Sequence, residues 1–141
     1  ALRENMKHEI EKRHPEYDET QVRKALDCFA ADPDRTGMPL PHLTGGSVDV
    51  GLFEIRSGKS LDMGSEFDAT GHLSYSDALE KEGGYFSSAR NLRRILIHTM
   101  KEAGFSNLPT EWWHFDYGNQ NWAYFTEQSS AIFGAVEGQD T

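Results

Sequence analysis

The chain has 141 residues, with 14 Lys and Arg against 23 Asp and Glu, so its formal net charge at pH 7 is −9. That length suits one domain, since domains commonly run to ~100–150 residues. The acidic balance argues against a general nucleic-acid binder, which must neutralise phosphates with Lys and Arg. A single cysteine excludes an internal disulfide. No apolar run of about 18 residues exists to span a membrane, so we expect neither a nucleic-acid nor a membrane partner.

The first quarter of the chain predicts two helices. The first ends at His14, because the residue before Pro15 avoids the helical region. The first helix is indicated by apolar residues spaced four apart, which form a narrow stripe: Leu2, Met6 and Ile10. Residues 18–20 offer caps for a second helix, whose predicted apolar face is Val22, Leu26 and Phe29. Residues 31–41 contain three prolines and are predicted to form a loop.

The remainder of the chain predicts an α+β fold, in which helices flank an antiparallel sheet that carries the functional site. Alternation and aromatic content predict strands at 48–55, 112–117, 122–125 and 131–136. Turns at 118–119 and 127–130 then predict two hairpins. A helix starting at Ser87 or Ser88 and ending before Gly104 has this predicted apolar side: Leu92, Ile95, Leu96, Thr99 and Met100. We expect residues 1–141 to form one domain.

Two short motifs contain the residues that could carry chemistry. His42 and Asp49 are separated by a glycine pair that lets the backbone turn sharply, so an imidazole and a carboxylate can meet. His114 follows Glu111 and two tryptophans, in a sequence that favours a partly dry environment. Two imidazoles and one carboxylate suit a zinc ion with an open fourth position. Glu111 would be a spare carboxylate, with its pKa raised by the tryptophans, able to take a proton from water.

The residues alone leave alternatives open. In a purely structural interpretation, Asp49 caps the backbone and the tryptophans simply pack in the core. A non-haem iron site also uses two histidines and a carboxylate. The seven-residue separation of His42 and Asp49 fits that site poorly.

The same motifs resemble those of the zinc D-alanyl-D-alanine dipeptidases of the VanX type. These belong to a wider group of peptidoglycan D,D-peptidases with the signature Ser-x-His-x-x-Gly-x-Ala-x-Asp, followed later by Glu-x-x-His. His42, Gly45 and Asp49 stand at the matching offsets, and Glu111 and His114 form the second part. Segments 62–68, 91–94 and 102–105 also resemble the dipeptidase branch, so the resemblance covers nearly the whole chain.

The resemblance implies a zinc metallopeptidase that hydrolyses the D-alanyl-D-alanine dipeptide with a metal-bound water. Its single Zn²⁺ would be held by His42, Asp49 and His114. Glu111 would be the general base, and Asp68 would hold the free amino group of the substrate. The partner it implies is therefore a small dipeptide, and the location it implies is the cytoplasm.

This chain departs from the family pattern at several points. Leu40 stands where the signature has serine, and Ser47 where it has alanine. The family also has an N-terminal Tyr-Arg-Pro motif whose arginine stabilises the transition state. The chain lacks that motif, so we expect this arginine upstream of Ala1. We therefore expect the chain to be the C-terminal part of a longer protein, with the N-terminal segment as a further partner.

Two other functions fit the same metal ligands. One is a zinc D,D-carboxypeptidase or peptidoglycan endopeptidase. The other is a zinc-binding module without catalysis, as in the related Hedgehog signalling domains. Glu111 argues against the second, because a structural metal site needs no spare carboxylate.

Overall fold

The computed structural model describes residues 7–8, 10–12, 14–29, 40–82 and 84–136. The chain divides into two compact units, Ala1–Met38 and Pro39–Thr141. Each unit has its own small group of buried apolar side chains.

The described part of the first unit confirms the predicted helices. Residues 7–8 and 10–12 are helical, and the helix ends before His14. The second helix, Glu19–Phe29, begins with a reciprocal cap between Asp18 and Gln21, in which each side chain accepts a hydrogen bond from the other residue's backbone N–H. The core of this first unit consists of Ile10, Val22 and Leu26, with Tyr17 packed against them. Leu2, Met6, the side chain of Phe29 and most of the predicted loop at 31–41 lie outside what the structure describes.

The second unit contains a three-stranded antiparallel sheet, which confirms the predicted α+β class. Its strands are β1 (Ser47–Asp49), β2 (Ser106–Asn107) and β3 (His114–Asp116), in the order β1-β3-β2. The helices are Ser87–Glu102, called the long helix below, and Gln120–Phe125. Short 3₁₀ turns form at Pro41–Thr44, His72–Ser74 and Gly84–Phe86. The buried core is Met63, Leu96, Trp112, Trp113 and Phe115.

The long helix has the predicted boundaries but a different buried face. Leu96 is buried and Leu92 and Met100 pack on the core, as expected, whereas Ile95 is 56 % exposed and Thr99 is exposed too. Arg93, which is not on the predicted apolar side, is buried on the inner face of the helix. It is 2 % exposed because its polar atoms have hydrogen-bond partners inside the fold.

The strand predicted at 48–55 is wrong in its length. β1 ends at Asp49, and the next residue still bonds to the neighbouring segment of the chain, from Val50 N–H to the Trp113 carbonyl. The partner strand ends there, because Trp112 turns away and donates its backbone N–H to Ser74. Further along, Phe53 forms an isolated antiparallel bridge with Ser60. Val50 and Leu52 still pack on the core, but Val48 is exposed.

The two hairpins predicted near the C-terminus are wrong. Residues 122–125 belong to the helix Gln120–Phe125, and no strand forms in the described stretch 131–136. The reason is Asn119, whose side-chain oxygen accepts a hydrogen bond from Trp122 N–H at 3.0 Å and so caps a helix. In the sequence, Gly118-Asn119 is equally typical of a hairpin turn.

Within the described parts of the chain, no helix combines the length and the apolar character that crossing a bilayer requires.

Candidate metal centre

The register of β1 on β3 places the two motifs of the sequence side by side. Asp49 lies directly opposite His114, and Ser47 lies opposite Asp116. Because side chains two residues apart in a strand point to the same side, these four side chains share one face of the ladder. Phe115, between them, points the other way and is fully buried in the core.

His42 reaches the same place from the 3₁₀ turn Pro41–Thr44. Gly45 follows the turn with φ +69°, a left-handed conformation that glycine adopts without strain. At Gly46 a Cβ atom would lie 2.5 Å from the carbonyl oxygen of Tyr117, so only glycine lets the chain enter β1 this close to β3. The glycine pair therefore has the turning role that the sequence predicted for it.

The structure brings His42, Asp49 and His114 together as one cluster. One potential ligand atom from each residue lies within 4.8 Å of the others. Asp49 Oδ1 is 3.1 Å from His114 Nδ1, and Asp49 Oδ2 is 3.6 Å from His42 Nε2. The two imidazole rings meet edge to face, with centroids 4.8 Å apart. The aspartate is thus the bridge between the two histidines.

The far side of the His114 ring is fixed by Asp116. His114 Nε2 lies 3.1 Å from Asp116 Oδ1, and both side chains are buried. A carboxylate at Nε2 favours a proton on Nε2, so that Nδ1 is the nitrogen that would bind a metal ion.

Asp116 is itself held by three further donors. Its Oδ1 accepts hydrogen bonds from Ser47 Oγ at 2.5 Å and Asn119 Nδ2 at 2.6 Å, and Asn121 Nδ2 donates to Oδ2 at 3.1 Å. Burial alone would raise the pKa of Asp116, but the hydrogen bonds from His114, Ser47 and Asn119 bring that pKa below its ordinary value. Asp116 therefore remains an anion in a buried position.

Glu111 lies beside this cluster on the turn that leads into β3. Its Oε2 is 3.7 Å from His114 Nδ1, the same nitrogen that faces Asp49. Asn107 Nδ2 donates to the backbone oxygens of both Glu111 and His114, at 3.1 and 3.0 Å, which holds the turn in shape.

The electrostatic setting of Glu111 is unusual for a carboxyl group. Burial is the largest cause that raises its pKa, to about 7, and the negative charges of Asp49, Asp68 and Asp116 act in the same direction. The charge of His114 acts against them. The direction agrees with the sequence-based expectation, and a carboxyl group with a pKa near 7 can both accept and release a proton at neutral pH.

The pKa of His114 reflects the same crowding of charges. Burial lowers it, but the hydrogen bonds to Asp116 and Asp49 and the charge of Glu111 outweigh burial and raise the pKa to about 9. An imidazole with this much negative charge around it attracts a cation strongly.

Asp68 lies in an irregular segment next to the cluster, and its side chain is exposed. Its φ of +56° is a left-handed conformation that is uncommon outside glycine. The neighbouring Phe67 ring packs against both Trp112 and Trp113, with centroids 5.1 and 5.9 Å apart. Since Trp112 directly follows Glu111, this packing brings the segment of Asp68 to the turn of Glu111.

The chemistry of the donor set fits a divalent metal such as zinc. Two imidazole nitrogens and one carboxylate oxygen converge, and a second carboxylate orients one imidazole from behind. His42 and Asp49 are partly open to solvent, with side chains 53 % and 34 % exposed. A fourth ligand therefore has access from that side.

The sequence predicted the cluster of His42, Asp49 and His114, but it did not predict the residues that hold the His114 ring from its other side. Asp116, Ser47 and Asn119 were not predicted to take part. The signal for Asp116 was present, because a residue two positions after His114 on a strand must lie on the same face. Ser47, one of the departures from the family signature, is one of the donors to Asp116.

These features define a class of site: a cluster of two histidines and one aspartate that could hold a metal ion, next to a glutamate with an elevated pKa. Residues 9–132 match the family model of peptidase M15, described as D-ala-D-ala dipeptidase. The chain belongs to this family, and the match includes both compact units.

Similar curated proteins bear the same description. A D-alanyl-D-alanine dipeptidase of Synechocystis sp. is 32 % identical over 139 residues, which is 87 % of this chain and 55 % of that protein. One from Enterococcus faecium is 29 % identical over 123 residues, which is 70 % of this chain and 59 % of that protein. The chain thus spans little more than half the length of these relatives. No significant match was found among solved structures.

Proposed function

We propose that the chain carries the metal-binding and proton-transferring part of a zinc-dependent D-alanyl-D-alanine dipeptidase. His42, Asp49 and His114 hold the ion, and Glu111 is the general base. The observation that supports this proposal most is the meeting of four groups: three potential ligand atoms within 4.8 Å of one another, and a spare carboxylate 3.7 Å from one of them. Membership of the dipeptidase family supports the choice of reaction.

When bound, zinc supplies Lewis acidity, which polarises a carbonyl group and makes a water molecule more acidic. Glu111 accepts a proton from the attacking water as the water oxygen bonds to the peptide carbonyl carbon. Glu111 then gives this proton to the leaving nitrogen as the C–N bond breaks, so that the products are two molecules of D-alanine. Burial and the charges of Asp49, Asp68 and Asp116 raise the pKa of Glu111, and a raised pKa favours a carboxyl group that both takes up and releases a proton.

Asp68 selects the length of the substrate in this proposal. The Asp68 carboxylate is exposed, and its charge raises the pKa of Glu111. This carboxylate is available to pair with a free ammonium group. A dipeptide carries that ammonium one residue before the scissile bond, whereas a longer peptide has an uncharged amide there. The proposal therefore favours a dipeptidase over the two alternatives that share its ligands, a D,D-carboxypeptidase and an endopeptidase.

The general-base role is tested by Glu111→Gln in the zinc-loaded full-length protein. We expect kcat to fall by about 10³-fold, because general acid–base catalysis contributes ~10²–10⁴-fold, while bound zinc stays at the wild-type level. The matched control is Glu102→Gln, at the exposed end of the long helix, which should retain wild-type kcat. Wild-type kcat in Glu111→Gln would disprove the role of Glu111.

The substrate class is tested by comparing three substrates under the same conditions: D-alanyl-D-alanine, its N-acetyl derivative, and a pentapeptide ending in D-alanyl-D-alanine. We expect hydrolysis of the free dipeptide only. Preference for the pentapeptide would support the carboxypeptidase instead, and zinc binding without any hydrolysis would support a non-catalytic module.

A further inference from the structure

Arg93 is a buried cation that is not part of the metal centre. It lies on the inner face of the long helix and is 2 % exposed. Burial lowers its pKa to about 10, with the charge of Asp62 acting in the other direction, so the guanidinium is still protonated at neutral pH. Among the described residues, no carboxylate forms an ion pair with it. Its charge is satisfied by neutral acceptors instead.

Those acceptors belong to both ends of one segment, residues 63–75, which we call the Asp68 loop. At the first end, Arg93 Nε donates to the Met63 carbonyl at 2.7 Å and Nη2 to Ser65 Oγ at 3.3 Å. At the other end, Nη2 donates to the Leu73 carbonyl and Nη1 to the Tyr75 carbonyl, both at 2.8 Å. One side chain therefore closes the loop at its base.

The same loop is attached to the turn of Glu111 through Trp112. The indole Nε1 donates to Ser65 Oγ at 2.8 Å, and the backbone N–H of Trp112 donates to the Ser74 carbonyl at 2.9 Å. The Arg93 guanidinium lies 5.4 Å from the centroid of the Trp112 ring. Arg93, the loop and the residue next to Glu111 thus form one connected unit.

Asp68 lies midway along this closed loop. Its left-handed φ of +56° costs free energy, and such conformations persist where the surrounding structure holds them. The hydrogen bonds at the base of the loop, together with Phe67 packed on the two tryptophans, are the contacts that hold it.

We propose that Arg93 is a positioning residue of this site: by tying both ends of the Asp68 loop to the long helix, it fixes the place of the Asp68 carboxylate beside Glu111. The inference rests on the proposed function in one respect, namely that Asp68 binds the ammonium group of the substrate. Arg93 has no contact with the proposed metal ligands, and it acts on the site through the loop that it holds.

The chemistry of the guanidinium explains why this position needs arginine. Four acceptors in different directions require a planar group with five N–H donors, and a lysine ammonium offers three donors at the end of a flexible stem. Arg93→Lys keeps the charge but cannot bond to both ends of the loop at once. The matched control is Arg94→Lys on the same helix, because Arg94 is exposed and pairs with Glu80 outside the loop.

The first test measures the loop without substrate. Hydrogen exchange followed by mass spectrometry should show residues 63–75 exchanging about tenfold faster in Arg93→Lys than in Arg94→Lys, because a loop that has lost its closing contacts opens more often. Peptides that contain β3 should exchange at the wild-type rate in both variants. Equal exchange of the loop in the two variants would overturn the proposal.

The second test asks whether Arg93 acts through Asp68. In the zinc-loaded full-length protein, Arg93→Lys should raise KM for D-alanyl-D-alanine about fivefold and leave kcat within about twofold. In an Asp68→Asn background, the same change should raise KM no further, since the group that it positions has already lost its charge. Independent, multiplying effects on KM would show that Arg93 does not act through Asp68.

Ser65→Ala provides a milder variant should Arg93→Lys fold poorly. It removes the hydroxyl shared by Arg93 and Trp112 and leaves the guanidinium in place. Exchange of residues 63–75 should rise about twofold, in the same direction as in Arg93→Lys, and wild-type exchange would count against the proposal. A wild-type protein that hydrolyses no dipeptide would disprove the proposed function, while hydrogen exchange would still decide whether Arg93 holds the loop.

Discussion

The two sides of the metal centre are built differently. On the buried side, His114 and Asp116 lie in β3, are almost inaccessible to solvent, and have hydrogen-bond partners on several neighbouring residues. On the open side, His42 and Asp49 lie on a 3₁₀ turn and at the end of β1, with side chains 53 % and 34 % exposed.

This difference in burial suggests that the two sides have different roles. In the proposed site, packing would orient the buried ligand and so set the position of the cation, whereas the open side would leave room for substrate. The same difference implies unequal consequences of mutation. Changes on the buried side should affect both metal binding and folding, and changes on the open side should affect metal or substrate binding alone.

The largest contrast in stability is expected between His114→Ala and His42→Ala in the metal-free protein. Removing His114 leaves the Asp116 carboxylate buried without its cationic partner, and breaking such a pair costs about 3 kcal/mol of unfolding free energy. Removing the exposed His42 should cost about 0.5 kcal/mol or less. Urea unfolding of both variants measures the difference. Equal losses would mean that the two sides do not differ as described.

Asp116→Asn tests the buried side with less disturbance. The amide keeps the shape of the side chain but no longer stabilises the correct tautomer and orientation of His114, and loss of such a partner typically lowers metal affinity about 10–100-fold. Competition with a chromogenic chelator measures the zinc affinity. Wild-type affinity in Asp116→Asn would show that Asp116 does not orient the ligand.

Asp68→Asn tests the open side. The neutral amide cannot pair with an ammonium group, so KM for D-alanyl-D-alanine should rise about tenfold while kcat stays within about twofold. Zinc affinity, measured as for Asp116→Asn, should be unchanged. A drop in kcat at constant KM would assign Asp68 to the chemical step and contradict its role in binding.

The smallest expected effect is the dependence of stability on pH in the metal-free protein. The pKa of Glu111 is raised from 4.5 to about 7, so between these values the folded state binds more protons than the unfolded state. Stability should therefore fall as pH rises through this window, and Glu111→Gln should remove about 1 kcal/mol of that fall. Unfolding curves at pH 5 and pH 8 test this. An identical pH dependence in wild type and variant would mean that Glu111 is not the titrating group.

The sequence predicted the converging groups well because their spacing is local and chemically distinctive. His42 and Asp49 flank a glycine pair, and Glu111 and His114 are three residues apart, so each pair is readable without knowing the fold. The chemistry of two imidazoles and one carboxylate suggested the pairing of the two motifs, and the family resemblance supported it. The register of Asp49 on His114 gives that pairing a geometric basis.

What the sequence did not predict depends on tertiary contacts. Arg93 occupies an apolar position of a helix because carbonyl groups from a distant loop receive its donors. β1 ends early because its partner strand turns away at Trp112. The segment 122–125 has the composition of a strand, yet the cap at Asn119 starts a helix there.

In the proposed site, His42, Asp49 and His114 share one zinc ion. Isothermal titration calorimetry of zinc binding to the metal-free full-length protein tests this shared site most directly. The wild type is compared with His42→Ala and Asp49→Ala. We expect one tight site per chain in the wild type and an affinity lower by about 100-fold or more in each variant, because each loses one of three protein ligands. Wild-type affinity in both variants would show that zinc binds elsewhere and would contradict the shared site.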